Sequence, residues 1–346
     1  MFPPLHAPQA AVAGEALIDL IRRDDGSYQP CLGGALYNLA RALACQGVAT
    51  QYLNPLSRDR FGRALAQQLE ADGVHLARSE PVQQVTSLAV VNLDAEGHPD
   101  YAFYREGVAD RAVKAEGLQQ DCAAVESSLR LVCTGALALD ARDAGVYLPW
   151  LRAQRDAGRC VVVDANLRPS VMPDLVAYRA NVHAALALAD VIKVSDEDLA
   201  HLQVPGDTAL EQARRLLADC SQAQLLALTM GAEGAWLLHR SGYACFFQEA
   251  GVLQVVDTVG AGDSFLAGLL AYLLSLCLAE GTAGSHGNVV SMLSQLQSTQ
   301  AQDALRHAVA CASLCVQRQG CVPPSWSQAA AWAQASPVTA DWIVSV

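Results

Sequence analysis

Short apolar runs alternate along this chain with longer stretches in which apolar residues return every three or four positions. The runs 131–133, 160–163, 191–194 and 225–228 are rich in Val, Leu or Ile, and a polar or glycine-containing turn follows each. Near-continuous apolarity of that length suits strands covered on both faces, as in a parallel sheet. Between them, 144–157 and 209–218 carry the helical period. The expected fold class is α/β.

Two stretches depart from this rhythm. Residues 15–30 and 86–105 alternate apolar with polar positions, as in Leu88-Ala89-Val90-Val91-Asn92-Leu93. Alternation of period two predicts half-exposed antiparallel strands, here a small layer projecting from the main sheet. Asp94-Ala95-Glu96-Gly97 reads as a hairpin turn within the second stretch. The glycine-, serine- and glutamine-rich 281–302 reads as a solvent-exposed insertion. No internal repeat is evident, and 1–346 is expected to form one domain.

Composition narrows the function. Of 346 residues 52% are apolar and 17% charged, too apolar for a disordered chain. Lys+Arg total 23 against Asp+Glu 35, a net charge of -12. An acidic surface repels polyphosphate backbones and anionic lipid, so neither nucleic acid nor membrane is an expected partner. No uninterrupted apolar run of transmembrane length stands out, and residues 1–13 do not read as a signal peptide. Eleven cysteines without CxxC pairing suit free thiols in a reducing cytoplasm. His307, Cys311 and Cys315 recur at four-residue spacing, but without a fourth ligand they read as helix packing.

The chemistry concentrates at Val255-Val256-Asp257-Thr258-Val259-Gly260-Ala261-Gly262-Asp263-Ser264, an apolar stretch running through a small-residue turn into an apolar helix. Gly-Ala-Gly at a helix start lets backbone N–H groups approach an anion, and the helix dipole favours negative charge there. Asp263 is then either a base within one turn of that pocket or an ordinary first-turn acid. A Rossmann reading fails because Phe265 falls where the third glycine belongs. Neither lysine, Lys114 or Lys193, follows a glycine-rich turn, which excludes a Walker loop, and no GxSxG or HExxH motif is present.

The segment 257–263 resembles the C-terminal signature of the ribokinase-like (PfkB) carbohydrate kinases. Gly33-Gly34-Ala35-Leu36-Tyr37-Asn38 is similar to their N-terminal signature, and Gly14-Glu15-Ala16-Leu17-Ile18-Asp19 to their opening strand. Asp164-Ala165-Asn166-Leu167-Arg168 resembles their central turn, and Thr229-Met230-Gly231-Ala232-Glu233-Gly234 their nucleotide-side turn. Five matches run in family order from Gly14 to Pro324. Phe103-Tyr104-Arg105-Glu106-Gly107 resembles the bacterial fructokinases within the family.

The resemblance implies a three-layer sandwich with a mostly parallel sheet and a β lid spanning about 15–32 and 86–108. It implies ATP-dependent phosphorylation of a primary sugar hydroxyl, with fructose as the expected substrate and a keto-sugar acid such as 2-keto-3-deoxygluconate as the alternative. Asp263 would be the general base, and the amides of Gly260, Ala261 and Gly262 the anion hole. With an ordinary carboxylate pKa of about 3.9, Asp263 would orient the hydroxyl and take its proton only as the new bond forms.

Asp19, Gly33, Gly34, Asn38, Phe103, Arg105, Asn166 and Arg168 would bind the sugar. Lys193, Ser195, Thr229, Gly231, Gly234, Ala308, Cys311 and Ala312 would bind the nucleotide. Ser195 and Asp198 stand where the family often has Asn and Glu. Glu197 and Asp198 are accordingly candidates for Mg²⁺ through water, and Asp257 for a loop holding a monovalent cation, usually K⁺. A homodimer joined through the lids is the expected assembly. The reading from another class is a non-catalytic sugar-binding regulator, against which the intact Asp263 and glycine turn argue.

Overall fold

The computed structural model describes residues 7–23, 25–93, 99–280, 288–335 and 342–345. The strands are β1 (Ala10–Val12), β2 (Leu17–Arg22), β3 (Tyr28–Gly33), β4 (Thr50–Tyr52), β5 (His75–Leu76), β6 (Ser87–Leu93) and β7 (Pro99–Tyr104). They continue with β8 (Leu131–Gly135), β9 (Cys160–Asp164), β10 (Val191–Ser195), β11 (Leu225–Thr229), β12 (Ala235–His239), β13 (Tyr243–Phe247) and β14 (Trp342–Ser345). The helices are α1 (Ala35–Cys45), α2 (Arg60–Ala71), α3 (Ala115–Ala123), α4 (Ala144–Asp156), α5 (Leu175–Leu186) and α6 (Asp196–His201). After these come α7 (Ala209–Asp219), α8 (Ala261–Glu280), α9 (Val289–Ser294), α10 (Ser298–Cys315) and α11 (Trp326–Ala335).

Ten strands form one sheet in the order β14-β13-β12-β11-β10-β9-β8-β1-β4-β5. From β11 to β5 all neighbours are parallel, and β12 to β14 extend one edge antiparallel. The period of two explains why the apolar runs had to be continuous. Ala10, Val12, Leu131, Cys133, Cys160 and Val162 join the core that includes α1, α8 and α10. Their neighbours Ala11, Val132, Val161 and Val163 join the opposite core, with Leu118, Trp150, Tyr178 and Leu216 of α3, α4, α5 and α7. Every second side chain thus serves a different layer, so a polar residue mid-strand would be buried whichever way it faced. The expected three-layer sandwich is present.

Helix α8 is apolar all round, and by length and composition Ala261–Ala279 would suffice to cross a bilayer. Two-thirds of that stretch is buried. It is the central helix of its layer, packed on α1 and α10, and such a helix has no polar face to show.

The second sheet has the order β3-β2-β6-β7. The alternating stretches form it, with one correction. The β2–β3 and β6–β7 pairs are antiparallel, but β2 and β6 join in parallel, so the layer is mixed. Each hairpin is local, whereas the joining pair connects segments far apart in the chain and no local pattern specifies its direction. The expected turn at Asp94–Gly97 lies outside the described residues. The expected insertion at 281–302 is also corrected: from Asn288 onward it is α9 and the start of α10, burying Val289, Met292, Leu293 and Ala301. Its Ser and Gln residues decorate an amphipathic surface rather than a loop.

Candidate active site

The parallel strands reverse direction of progression at β1. The chain moves from β1 outward to β4 and β5, then returns to β8 on the other side and proceeds to β11. The loops at the carboxyl ends of such strands diverge and leave a crevice. Glu15 after β1, Ala136 and Leu137 after β8, Asn166 and Arg168 after β9, and Lys193 on β10 all line a polar cavity there of about 390 Å³. The four-stranded sheet contributes Leu17, Asp19, Cys31 and Phe103 to the opposite wall. It is placed as the lid was expected to be.

The start of α8 closes this cavity. Gly260 has φ +76° and a β-carbon there would collide with Cys321 Sγ, so both backbone and space require glycine. Gly260, Ala261, Gly262 and Asp263 all line the polar cavity. Ala261 and Gly262 also line a second, more apolar cavity of about 510 Å³ on the other side of the turn. Thr229, Gly231, Gly234, Val309, Ala312, Ser313 and Val316 contribute to that second chamber. One turn of small residues therefore faces two chambers, each large enough for a small molecule.

Asp263 is buried, and Asn38 Nδ2 on α1 donates to its Oδ2 at 3.0 Å. Burial, reinforced by the nearby charge of Asp164, pushes its pKa up to about 7, while Asn38, Lys193 and Arg168 pull the other way. The ordinary carboxylate value used in reading the sequence is corrected: removal from water makes Asp263 a much better base near neutrality. Asp19 is raised to about 6 by burial, with Arg168 opposing. A β-carbon on Gly33 would occupy the position of Asp19 Oδ2, so Gly33 makes room for the carboxylate and does not itself line the cavity. Gly34, with φ +109°, turns the chain from the lid into α1.

Several expected residues lie elsewhere. Arg105 does not line the cavity. Strand β7 ends at Tyr104, so the chain leaves the lid before the alternation could carry Arg105 to the face of Phe103. Its guanidinium turns inward, 3.2 Å from Leu137 O and 3.7 Å from Asp140. Ala308 and Cys311 pack instead against Gly268 of α8, and the cavity face of α10 is Val309, Ala312, Ser313 and Val316. That i, i+3, i+4, i+7 row was legible in the sequence, one residue out of phase with the expected face.

The two metal candidates on α6 are also corrected. Ser195 and Asp198 form a capping box. The Ser195 amide donates to Asp198 Oδ2 at 2.8 Å, and the Leu167 amide donates to Oδ1 at 2.7 Å. Asp198 is thus buried as a cap and a loop anchor, Ser195 lines neither cavity, and Glu197 is exposed. Among the described residues no three His, Cys, Asp or Glu side chains are grouped to hold a metal. Asp257 lines the polar cavity, but its oxygens accept from the amides of Val259 at 3.0 Å and Gly320 at 2.9 Å. It ties the turn before α8 to the loop after α10.

Lys193, expected at a nucleotide, instead lines the polar cavity and pairs with Asp164 at 3.0 Å. Glu15 escaped the sequence reading as a site residue. It is buried, accepts from the Ala35 amide at 3.0 Å, and is pushed up to about 8 by burial. A carboxyl inside an otherwise apolar strand end was its only signal.

Known proteins are similar to this chain in sequence and fold. The family model for pfkB family carbohydrate kinases matches residues 7–328. A fructokinase of Rhizobium leguminosarum bv. trifolii is 34% identical over 267 residues, covering 75% of this chain and 78% of that one. An aminoimidazole riboside kinase of Salmonella typhimurium is 32% identical, over 75% of this chain and 79% of its own. The crystal structure of a fructokinase from Xylella fastidiosa with bound ATP superposes with a TM-score of 0.78 at 27% identity, covering 94% of this chain and 98% of that one. By this match over nearly its whole length and its likeness to these kinases, the chain belongs to the pfkB family of carbohydrate kinases and is a sugar kinase.

Proposed function

We propose that this protein transfers the γ-phosphoryl group of ATP to the 6-hydroxyl of D-fructose. The observation that carries the reading is the 260–262 turn, whose Ala261 and Gly262 face both cavities at once. A phosphoryl group passing between the chambers would cross the amides at the start of α8, where backbone donors and the helix dipole favour negative charge. The apolar cavity takes the adenosine and the polar one the sugar.

In the polar cavity Asp19, Asn166 and Arg168 offer partners to sugar hydroxyls, and Phe103 supplies an apolar wall. A polyol needs such partners, since each hydroxyl buried without one is costly. Asn38 holds Asp263 at 3.0 Å, and Asp263 accepts the proton of the attacking hydroxyl. Lid strands over the cavity would exclude water, which otherwise competes as acceptor.

Among the described residues no side chains form a magnesium site of their own, given the committed oxygens of Asp198. Magnesium is read as arriving with the nucleotide, coordinated mainly by phosphate and water. A monovalent cation near the Asp257–Gly260 loop would show as K⁺-dependent turnover. The lid exposes Tyr28 and Tyr104 on the side away from the cavity, so a homodimer that covers that side is part of the proposal. None of the eleven cysteines is in a disulfide, which fits a reducing cytoplasm.

A keto-sugar acid would need a fixed cation, and with Arg105 turned inward only Arg168 of the two candidates lines the cavity. ADP release from Mg-ATP across fructose, ribose, a ribonucleoside, 2-keto-3-deoxygluconate and glucose, with Asp263→Ala as control, tests the reading. Turnover with fructose, lost in the variant, is expected. Turnover confined to another sugar reassigns the substrate, and sugar binding without turnover supports the regulator.

The nucleotide chamber has its own test. Ala312→Trp places a large ring in the apolar cavity and is expected to raise the KM for ATP about tenfold or more through steric exclusion. Sugar binding measured by calorimetry should be unchanged. A variant with wild-type KM for ATP would move the nucleotide out of this chamber.

A further inference from the structure

Beneath the glycine turn lies a charge to which the foregoing chemistry gives no task. Lys193 is one of two lysines in the chain, the other 21 basic residues being arginine. It sits at the middle of β10 and is 4% exposed, yet lines the polar cavity. Its Nζ is 3.0 Å from Asp164 Oδ1. A β-carbon placed on Gly262 would be 3.3 Å from Nζ, so the ammonium abuts the turn where a side chain is missing. Among the described residues Asp164 is its only side-chain partner, leaving two of three N–H donors uncommitted.

Burial of an ammonium is costly, and a counter-ion alone seldom makes it favourable. Three carboxylates face Lys193: Asp164 on β9, Asp198 on α6 and Asp263 on α8. Together they outweigh burial and hold the amine protonated. Asp198 is already satisfied by two amides, and Asp263 by Asn38. A compact ammonium also fits under a tight turn better than a planar guanidinium, which accords with lysine at this one place in an arginine-rich chain.

We propose that Lys193 is the cation of the anion hole, anchored by Asp164 and donating its remaining N–H groups to the phosphoryl group as it crosses the 260–262 turn. The inference rests on the phosphoryl-transfer reading above. In that step the bond from phosphorus to the β,γ-bridging oxygen breaks and its electron pair leaves with ADP. The sugar oxygen bonds to phosphorus, and its proton passes to Asp263. Lys193 keeps its proton throughout and neutralises charge on the equatorial oxygens.

The competing account is that Lys193 serves only as counter-ion to Asp164. The two part at the double variant. Lys193→Met is expected to lower kcat roughly 10²–10³-fold, the usual effect of deleting one oxyanion donor, with sugar affinity by calorimetry unchanged. Asp164→Asn/Lys193→Met, which buries no unpaired charge, should remain as slow as Lys193→Met. Should Lys193→Met fail to fold with Asp164 unpaired, the double variant alone carries the test. Aluminium fluoride added with ADP and sugar should tighten nucleotide binding in the wild type and not in either variant.

Recovery of the double variant to the rate of Asp164→Asn, or unimpaired aluminium fluoride binding, overturns the inference. An active wild type with an equally active Lys193→Met overturns it alone. A wild type that phosphorylates no sugar overturns the underlying reading as well.

Discussion

Asp263→Asn is expected to lower kcat by about 10²–10⁴-fold, the range supplied by a positioned general base. Binding of sugar and ATP, followed by calorimetry, should stay close to wild type, because asparagine keeps the shape and can still meet Asn38. An undiminished kcat would remove Asp263 from the chemistry and leave it the ordinary first-turn acid. The pH profile gives a second reading. Only the ionised carboxylate accepts a proton, and burial places its pKa at about 7. The kcat/KM of the wild type should therefore fall with the ionised fraction as pH drops through 7, and the residual activity of the variant should lack that limb.

The same burial acts on stability with the opposite sense. Unfolded, Asp263 titrates at its ordinary 3.8, and folded at about 7. Between those values the folded state binds more protons, so this group's contribution to stability declines as pH rises from 3.8 through 7 and stays low above it. Asp263→Asn should accordingly melt higher than wild type at pH 8, with the difference shrinking toward pH 4. A variant that is both slower and more stable would identify a residue held charged in an apolar place for its chemistry.

Asp19→Ala should raise the KM for sugar between about 10- and 100-fold, the worth of hydrogen bonds to a charged group, with a smaller change in kcat. The KM for ATP should not move, since Asp19 lines only the polar cavity. Burial raises Asp19 to about 6. Sugar affinity in the wild type should then weaken as pH falls through 6, and in Asp19→Asn it should be flat. Calorimetric titration keeps this separate from the Asp263 limb, which acts on turnover. Equal loss of ATP and sugar affinity would make Asp19 a support of the fold instead.

The lid shows why some of the site was legible and some was not. Phe103 faces the cavity because β7 is regular as far as Tyr104, and alternation alone predicts a face. Arg105, two residues on, would share that face only if the strand continued, and its end depends on Leu137 and Asp140, which the local pattern does not contain. On α10 the amphipathic period was plain, but which of two adjacent rows meets the apolar cavity is set by the close approach to Gly268 on α8. Asp198 looked like a metal ligand by its place after Ser195. The Leu167 amide, 31 residues earlier, takes one oxygen and the Ser195 amide the other.

The α/β class, the central parallel strands and the glycine turn at the start of α8 were legible in the chain's local pattern, through a period of two or 3.6 and backbone conformations that only glycine adopts freely. The family was legible through a different signal, the resemblance of five short motifs in order. The tertiary structure alone decided that the turn faces two chambers, that β2 and β6 run parallel, and that Lys193 lies under Gly262. It also decided the ionisation of Asp263 and Asp19. A carboxylate's pKa depends on the water and charge around it, and at Asp263 those come from α1, β9 and β10, which meet only when the chain has folded.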